Sequence, residues 1–125
     1  MADQALATRG QTAYLAGLSA EDSVARAYQR RGYAVEHRRW RASGGEIDLI
    51  TRDREGLVFV EVKTARDFAR AAERICRRQM QRICDAAQQF LAGEPGGLLT
   101  HVRFDVALVD RTGRCRIIEN AFGEA

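Results

Sequence analysis

The stretch Gly45-Glu46-Ile47-Asp48-Leu49-Ile50-Thr51-Arg52-Asp53-Arg54-Glu55-Gly56-Leu57-Val58-Phe59-Val60-Glu61-Val62-Lys63-Thr64 decides the fold. Both of its flanks have strand composition, with branched and aromatic residues in alternation. Between them Arg52 to Gly56 is polar and ends in glycine, which suits a hairpin connection. With Asp53 to Gly56 as the loop and Arg52 facing Leu57, antiparallel pairing puts Asp48 opposite Glu61 and Glu46 opposite Lys63. Opposed residues share a face, and so do residues two apart on one strand. Asp48, Glu61 and Lys63 are therefore expected together on one side of the sheet. A one-residue change in loop length would move Asp48 to the other face.

On the second strand Val58, Val60 and Val62 make one apolar face. The other face changes from Leu57 and Phe59 to Glu61 and Lys63 at its end, where a site would lie. A salt-bridged hairpin is the bland alternative, and for an isolated Glu-x-Lys it would win. Two carboxylates a few ångströms apart repel, and one tends to keep a proton. A divalent cation removes that conflict, and magnesium takes one or two carboxylates plus waters and substrate phosphate. A neighbouring ammonium completes the groups that metal-assisted phosphodiester hydrolysis requires. The expected cofactor is magnesium or manganese, with Asp48 and Glu61 as metal ligands and Lys63 as a catalytic group. Glu46, opposite Lys63 in this register, is a candidate partner for the ammonium.

The basic residues point the same way. The chain has 19 arginines and one lysine, and that lysine is Lys63. Arginine does not give up its proton in proteins, whereas lysine can be tuned to do so.

The blocks Gly45-Glu46-Ile47-Asp48-Leu49-Ile50 and Phe59-Val60-Glu61-Val62-Lys63-Thr64 resemble the signature of the YraN-like family. These small bacterial proteins are placed in the restriction-endonuclease-like, PD-(D/E)xK nuclease superfamily. Further matches are Glu21 with Gly32-Tyr33, the pair Trp40-Arg41, Arg103-Phe104-Asp105 and Ala121-Phe122, so the resemblance runs from about Gly17 to Phe122. More distantly the pattern is similar to archaeal Holliday-junction resolvases. The chain departs from the family's habit at Ala20, where glycine is common, at Arg39, where asparagine is common, and at Gln79, where a basic residue is common. The resemblance implies an α/β fold with a restriction-endonuclease-like core. Its mixed sheet would have four to five strands flanked by helices, in the order α-β-β-β-α-β-β. It also implies an endonuclease-like activity on DNA, including branched or repair intermediates, with Glu21 as a further catalytic carboxylate and metal ligand. For Glu21 a favourable place in a helix's first turn is an equally weighted alternative.

Length and composition agree with one domain holding a sizeable core. Residues 1–16 are expected to form a flexible N-terminal segment and 17–125 a single nuclease-like domain. No apolar run approaches a membrane span, and the N-terminal residues lack the pattern of a signal peptide. The three cysteines are odd in number and lack zinc spacing, which predicts free thiols in a reducing cytoplasm. Net charge is +3 and the isoelectric point is near 9.0, which fits an anionic partner.

A first helix is expected from Ser19 to Arg31, starting as early as Gln11, with Val24, Ala27, Tyr28 and Arg31 on one stripe and Gly32 as its end. Tyr33 to Arg41 reads as a strand. Its Arg38, Arg39 and Arg41, set around Trp40, suit nucleic-acid contact, although Trp40 itself is better read as core. Ala42 to Gly45 is a glycine-rich turn that lets backbone approach a ligand. Asp67 to Ala92 reads as one long helix with Cys76, Met80, Ile83, Ala87 and Phe90 as its apolar stripe. Arg70, Arg74, Arg77, Arg78 and Arg82 load the rest of that helix with charge, an electrostatic footprint for nucleic acid. Gln79 is a candidate for orienting the site. His101 to Val109 is a fourth strand, reached by a crossover that implies a parallel neighbour, and Cys115 to Glu119 is a short edge strand. Arg103 and Asp105 read as an ion pair that organises the sheet. Two alternatives stand beside the nuclease reading. One is a non-catalytic nucleic-acid-binding module on the same fold. The other is a scaffold that self-associates, as a homodimer, through a sheet edge.

Overall fold

A computed structural model of the chain describes residues 19–123. The expected N-terminal segment 1–16 and the earlier helix start near Gln11 lie outside the described residues. Helix α1 is described over residues 19–30. It ends in a Schellman motif, with Gly32 at φ +91° and Tyr33 N–H donating to the Tyr28 carbonyl at 3.1 Å. Strand β1 is Ala34–Ala42, β2 is Gly45–Arg52 and β3 is Leu57–Thr64. Helix α2 is Phe68–Ala72 and α3 is Arg77–Leu91. Strands β4, Val102–Val109, and β5, Cys115–Ile118, close the chain.

The five strands lie in the order β1-β2-β3-β4-β5. Only β3 and β4 are parallel, joined by the crossover through α2 and α3. Helix α1 covers one face of the sheet and α3 the other, each over its own apolar cluster. This α/β arrangement with a mixed sheet is consistent with the restriction-endonuclease-like core.

The turn end of the central hairpin has the expected register, with Arg52 facing Leu57 and Leu49 facing Val60, but the expected rungs Asp48–Glu61 and Glu46–Lys63 do not form. Asp53 sets the turn: its Oδ1 accepts from the backbone N–H of Glu55 at 2.9 Å and of Gly56 at 3.1 Å. Gly56 is required for packing as well, because a methyl there would overlap the His101 carbonyl. Leu57 and Phe59 join the α3-side core, while Val58, Val60 and Val62 face α1.

Two expectations change. The stripe of α1 is Ala20, Val24, Ala25 and Tyr28, not one that includes Ala27 and Arg31; Arg31 is exposed. The long helix Asp67–Ala92 is two helices. Asp67 caps α2 by accepting from Arg70 N–H, and Cys76 is extended, with φ −125° and ψ 128°. An unbroken helix of that length would run about 39 Å. An 8-residue strand such as β3 spans only about 27 Å, so the helix would overshoot the sheet it has to cover. The break leaves Cys76 exposed, while Met80, Ile83 and Ala87 stay buried. The turn before β2 is packed against α3. A Cβ on Gly45 would stand 3.1 Å from the Arg82 carbonyl of α3, and Gln89 bonds both Ser43 N–H and Ser43 C=O at 3.2 Å.

Arg103 and Asp105 do form the expected pair, within a larger network. Asp105 is fully buried and takes a two-pronged contact from Arg103, at 2.8 and 2.9 Å. It also accepts from the Tyr28 hydroxyl at 2.6 Å and from Asn120 N–H at 2.9 Å. One carboxylate thus ties α1, β4 and the C-terminal segment together. Trp40 is core, edge-on to Phe90 at 5.3 Å.

Candidate active site

Strands β2 and β3 part beyond Leu49 and Val60, the last paired rung of their ladder. Asp48 is the next residue of β2, and its side chain replaces the lost rung. Asp48 Oδ2 accepts from Val62 N–H at 2.8 Å. The face alternation of β2 breaks at the same residue, since Leu49 packs toward α1 whereas Ile47 packs toward α3. Across β1, the rungs Arg38–Leu49 and Trp40–Ile47 bracket Arg39, which sits at φ +51°. Non-glycine residues rarely adopt this conformation, and where they do they cluster at functional sites.

On the α3 side of β3, Glu61 and Lys63 meet Gln79 from the first turn of α3. Lys63 Nζ lies 3.2 Å from Glu61 Oε1 and donates to Gln79 Oε1. Gln79 Nε2 donates to Glu61 Oε1 at 3.0 Å. This closed triangle holds the ammonium over a carboxylate that is 4% exposed. The helix break at Cys76 begins α3 at the point that puts Gln79 there.

Burial raises the pKa of both central carboxyls. Glu61 is pushed up to about 8, first by burial and then by the charge of Asp48, against the pull of Lys63. Asp48 is raised by burial and by the charge of Glu21, with the Val62 N–H opposing. A buried pair of this kind suits a hard divalent cation, which prefers one or two carboxylates and completes its shell with water. Among the described residues, no group of three His, Cys, Asp or Glu side chains converges as a ready ligand set. Glu21 is paired within the chain, its oxygens accepting from Arg39 Nε at 3.0 and 3.2 Å.

The remaining expected residues divide. Glu46 does not pair with Lys63; it is bonded to Arg41 at 3.2 Å, because the strands have parted and the adjacent β1 side chain is nearer. Arg38 is paired with Asp22 and Arg70 with Asp67. Arg74, Arg77 and Arg78 are exposed and have no ion pair among the described residues. Among the described residues Arg82 is exposed without an ion pair as well, whereas Arg38, Arg39, Arg41 and Arg70 are paired. What sequence reasoning missed is the role of Arg39 toward Glu21. The one signal for it was arginine at a position where the resembling family commonly has asparagine.

No helix among the described residues is long and apolar enough to cross a membrane. Residues 20–109 match the Uncharacterised protein family UPF0102. The chain is 62% identical to a UPF0102 protein of Ruegeria pomeroyi, over 96% of this chain and 98% of that protein. It is 58% identical to one from Cereibacter sphaeroides, over 90% of this chain and 97% of that one. A UPF0102 protein of Dinoroseobacter shibae is 46% identical over 90% of this chain and 84% of its own length. The matched stretch includes Asp48, Glu61 and Lys63, and the chain belongs to the UPF0102 family.

Proposed function

We propose that this chain is a divalent-metal-dependent, nuclease-like protein that acts on DNA. The observation that carries the reading is the assembly of Asp48, Glu61 and Lys63 where β2 leaves β3, with Gln79 bonded to both Glu61 and Lys63. Magnesium or manganese held by Asp48 and Glu61 would supply Lewis acidity and charge neutralisation for phosphodiester hydrolysis. Val62 N–H holds the Asp48 carboxylate in place. Gln79 fixes the orientation of Glu61 through its amide N–H and of Lys63 through its amide oxygen. The Lys63 ammonium, 12% exposed, stands ready to stabilise negative charge at the reacting phosphate or to move a proton there. The test is incubation with single-stranded, duplex, flap and four-way-junction DNA in magnesium or manganese. Metal-dependent cleavage that disappears in Lys63→Ala supports the reading; no cleavage of any substrate overturns it.

A second reading, a non-catalytic nucleic-acid-binding module, is favoured by one observation: Arg39 occupies the oxygens of Glu21, the third carboxylate. DNA binding without cleavage, unchanged in Asp48→Ala/Glu61→Ala, would select it. Self-association through a sheet edge has less support, because β1 presents charged Glu36, Arg38 and Arg41 and β5 has only four residues.

A further inference from the structure

Three adjoining clefts run along the α1 side and the end of the sheet. The first, about 650 Å³, lies between α1 and the start of β5 and carries Arg26, Arg30, Arg31 and Arg114, with no carboxylate among its described lining residues. It shares Ser23 and Gly113 with the second, about 490 Å³, which adds Arg66, Arg74 and Arg111. The third continues past Arg66 and Arg74 to Arg70. Across all three, eight arginines face two carboxylates, Glu73 and Asp110. Asp110 is already engaged by Arg114 at 3.2 Å and by the Thr112 hydroxyl. A backbone bond from Arg111 N–H to the Arg66 carbonyl, at 3.4 Å, links the two sides of the second cleft. Arg26, Arg30, Arg66, Arg74 and Arg111 are exposed and have no ion pair among the described residues.

We propose that this trough carries the phosphodiester backbone of the nucleic acid. The inference rests on the nuclease reading and names the path its substrate takes. Clefts lined by one sign of charge focus their field, and this one requires an anion of matching length. A single small anion would be met by buried donors at one point. Here exposed guanidinium groups are spread over three connected clefts, as suits a linear polyanion read by charge. Ala20 and Thr64 line the second cleft, each one residue along the chain from Glu21 and Lys63; Asp48, Glu61 and Lys63 themselves are not among its described lining residues. Arg26, Arg30, Arg66 and Arg111 were not among the expected nucleic-acid contacts, because they come from three separate segments that only the fold brings together.

The test uses the full chain and fluorescence anisotropy with labelled duplex and single-stranded DNA over a series of potassium chloride concentrations. Arg26→Gln/Arg30→Gln and Arg66→Gln/Arg111→Gln should each weaken binding about tenfold or more. Each should also reduce the salt slope by about 1.8, at roughly 0.9 per phosphate contact. Arg54→Gln/Arg116→Gln removes the same charge from the β2–β3 turn and from β5, and should change affinity by less than about threefold. An equal loss in that control overturns the trough, since net charge alone would then account for binding. Wild-type affinity in both trough variants also overturns it, leaving the nuclease reading in place. Equal competition by polyglutamate overturns the assignment to phosphodiesters. If trough-dependent binding persists while the wild-type protein cleaves nothing, the trough stands and the catalytic reading falls. No DNA binding by wild-type protein removes both.

Discussion

Arg39 Nε holds Glu21 at 3.0 Å beside Asp48, from a backbone conformation of φ +51° that arginine rarely adopts. The Glu21 side chain is 12% exposed and that of Arg39 37%. A cation from the chain thus neutralises one of the three carboxylates that charge this corner. Arg39→Asn keeps a residue that tolerates left-handed backbone and removes the charge. Breaking a fully buried pair costs about 3–5 kcal/mol; with Arg39 a third exposed, roughly 1–3 kcal/mol is expected. Manganese should then raise the melting temperature of Arg39→Asn more than that of wild type, because Glu21 becomes available as a ligand. Equal manganese shifts in the two proteins would show that Glu21 stays out of the metal site.

Lys63 separates chemistry from charge. Its ammonium fits between Glu61 and Gln79, where a planar guanidinium cannot make the same contacts. Lys63→Arg is expected to fold and to bind DNA with wild-type salt dependence, yet to lose most metal-dependent cleavage. Asp48→Asn and Glu61→Gln should weaken manganese binding, measured by calorimetry, while Lys63→Arg weakens it little. Unchanged cleavage by Lys63→Arg would rule out proton transfer by the amine and leave only its charge.

The buried Glu61 carboxyl makes metal-free stability depend on pH in a defined direction. Its pKa rises from 4.5 to about 8 on folding. The native state therefore holds a proton that the unfolded chain has released. This contribution to stability is complete below about pH 4.5 and is lost as pH rises through 8. Urea denaturation in chelator across this range should give a decline in wild type that is shallower in Glu61→Gln. Parallel pH profiles for the two proteins would mean that another group titrates. Divalent metal should reverse the decline, because it favours the ionised pair.

The Asp105 network predicts graded losses. Tyr28→Phe removes one hydrogen bond to a buried carboxylate, a loss of about 1.5–3 kcal/mol. Asp105→Ala removes the acceptor that Arg103, the Tyr28 hydroxyl and Asn120 N–H share, and about 3–5 kcal/mol is expected. Urea midpoints measure both, and a Tyr28→Phe loss as large as that of Asp105→Ala would contradict the shared-carboxylate arrangement.

Local pattern was enough to place the central hairpin, the register at its turn and the parallel crossover. Period-two alternation, one Asx-glycine turn and an amphipathic helical stretch are all short-range signals. Opposition across a hairpin follows from the turn alone, so Asp48, Glu61 and Lys63 could be assembled on paper before any packing was known. Their family signature was equally local. Packing length decided where the long amphipathic stretch breaks: both helices could have continued by propensity, but one helix would have overshot the sheet. That break exposed Cys76 and brought Gln79 to Lys63. Only the tertiary structure paired Arg39 with Glu21, because the contact depends on a left-handed residue in β1 and on the seating of α1 on the sheet. It likewise decided which arginines remain without carboxylate partners, since ion pairing depends on neighbours in space. The charges of Arg38, Arg41 and Arg70 were as visible in the sequence as those of Arg26 and Arg66, but among the described residues the folded chain supplies carboxylates to the first three and none to the last two.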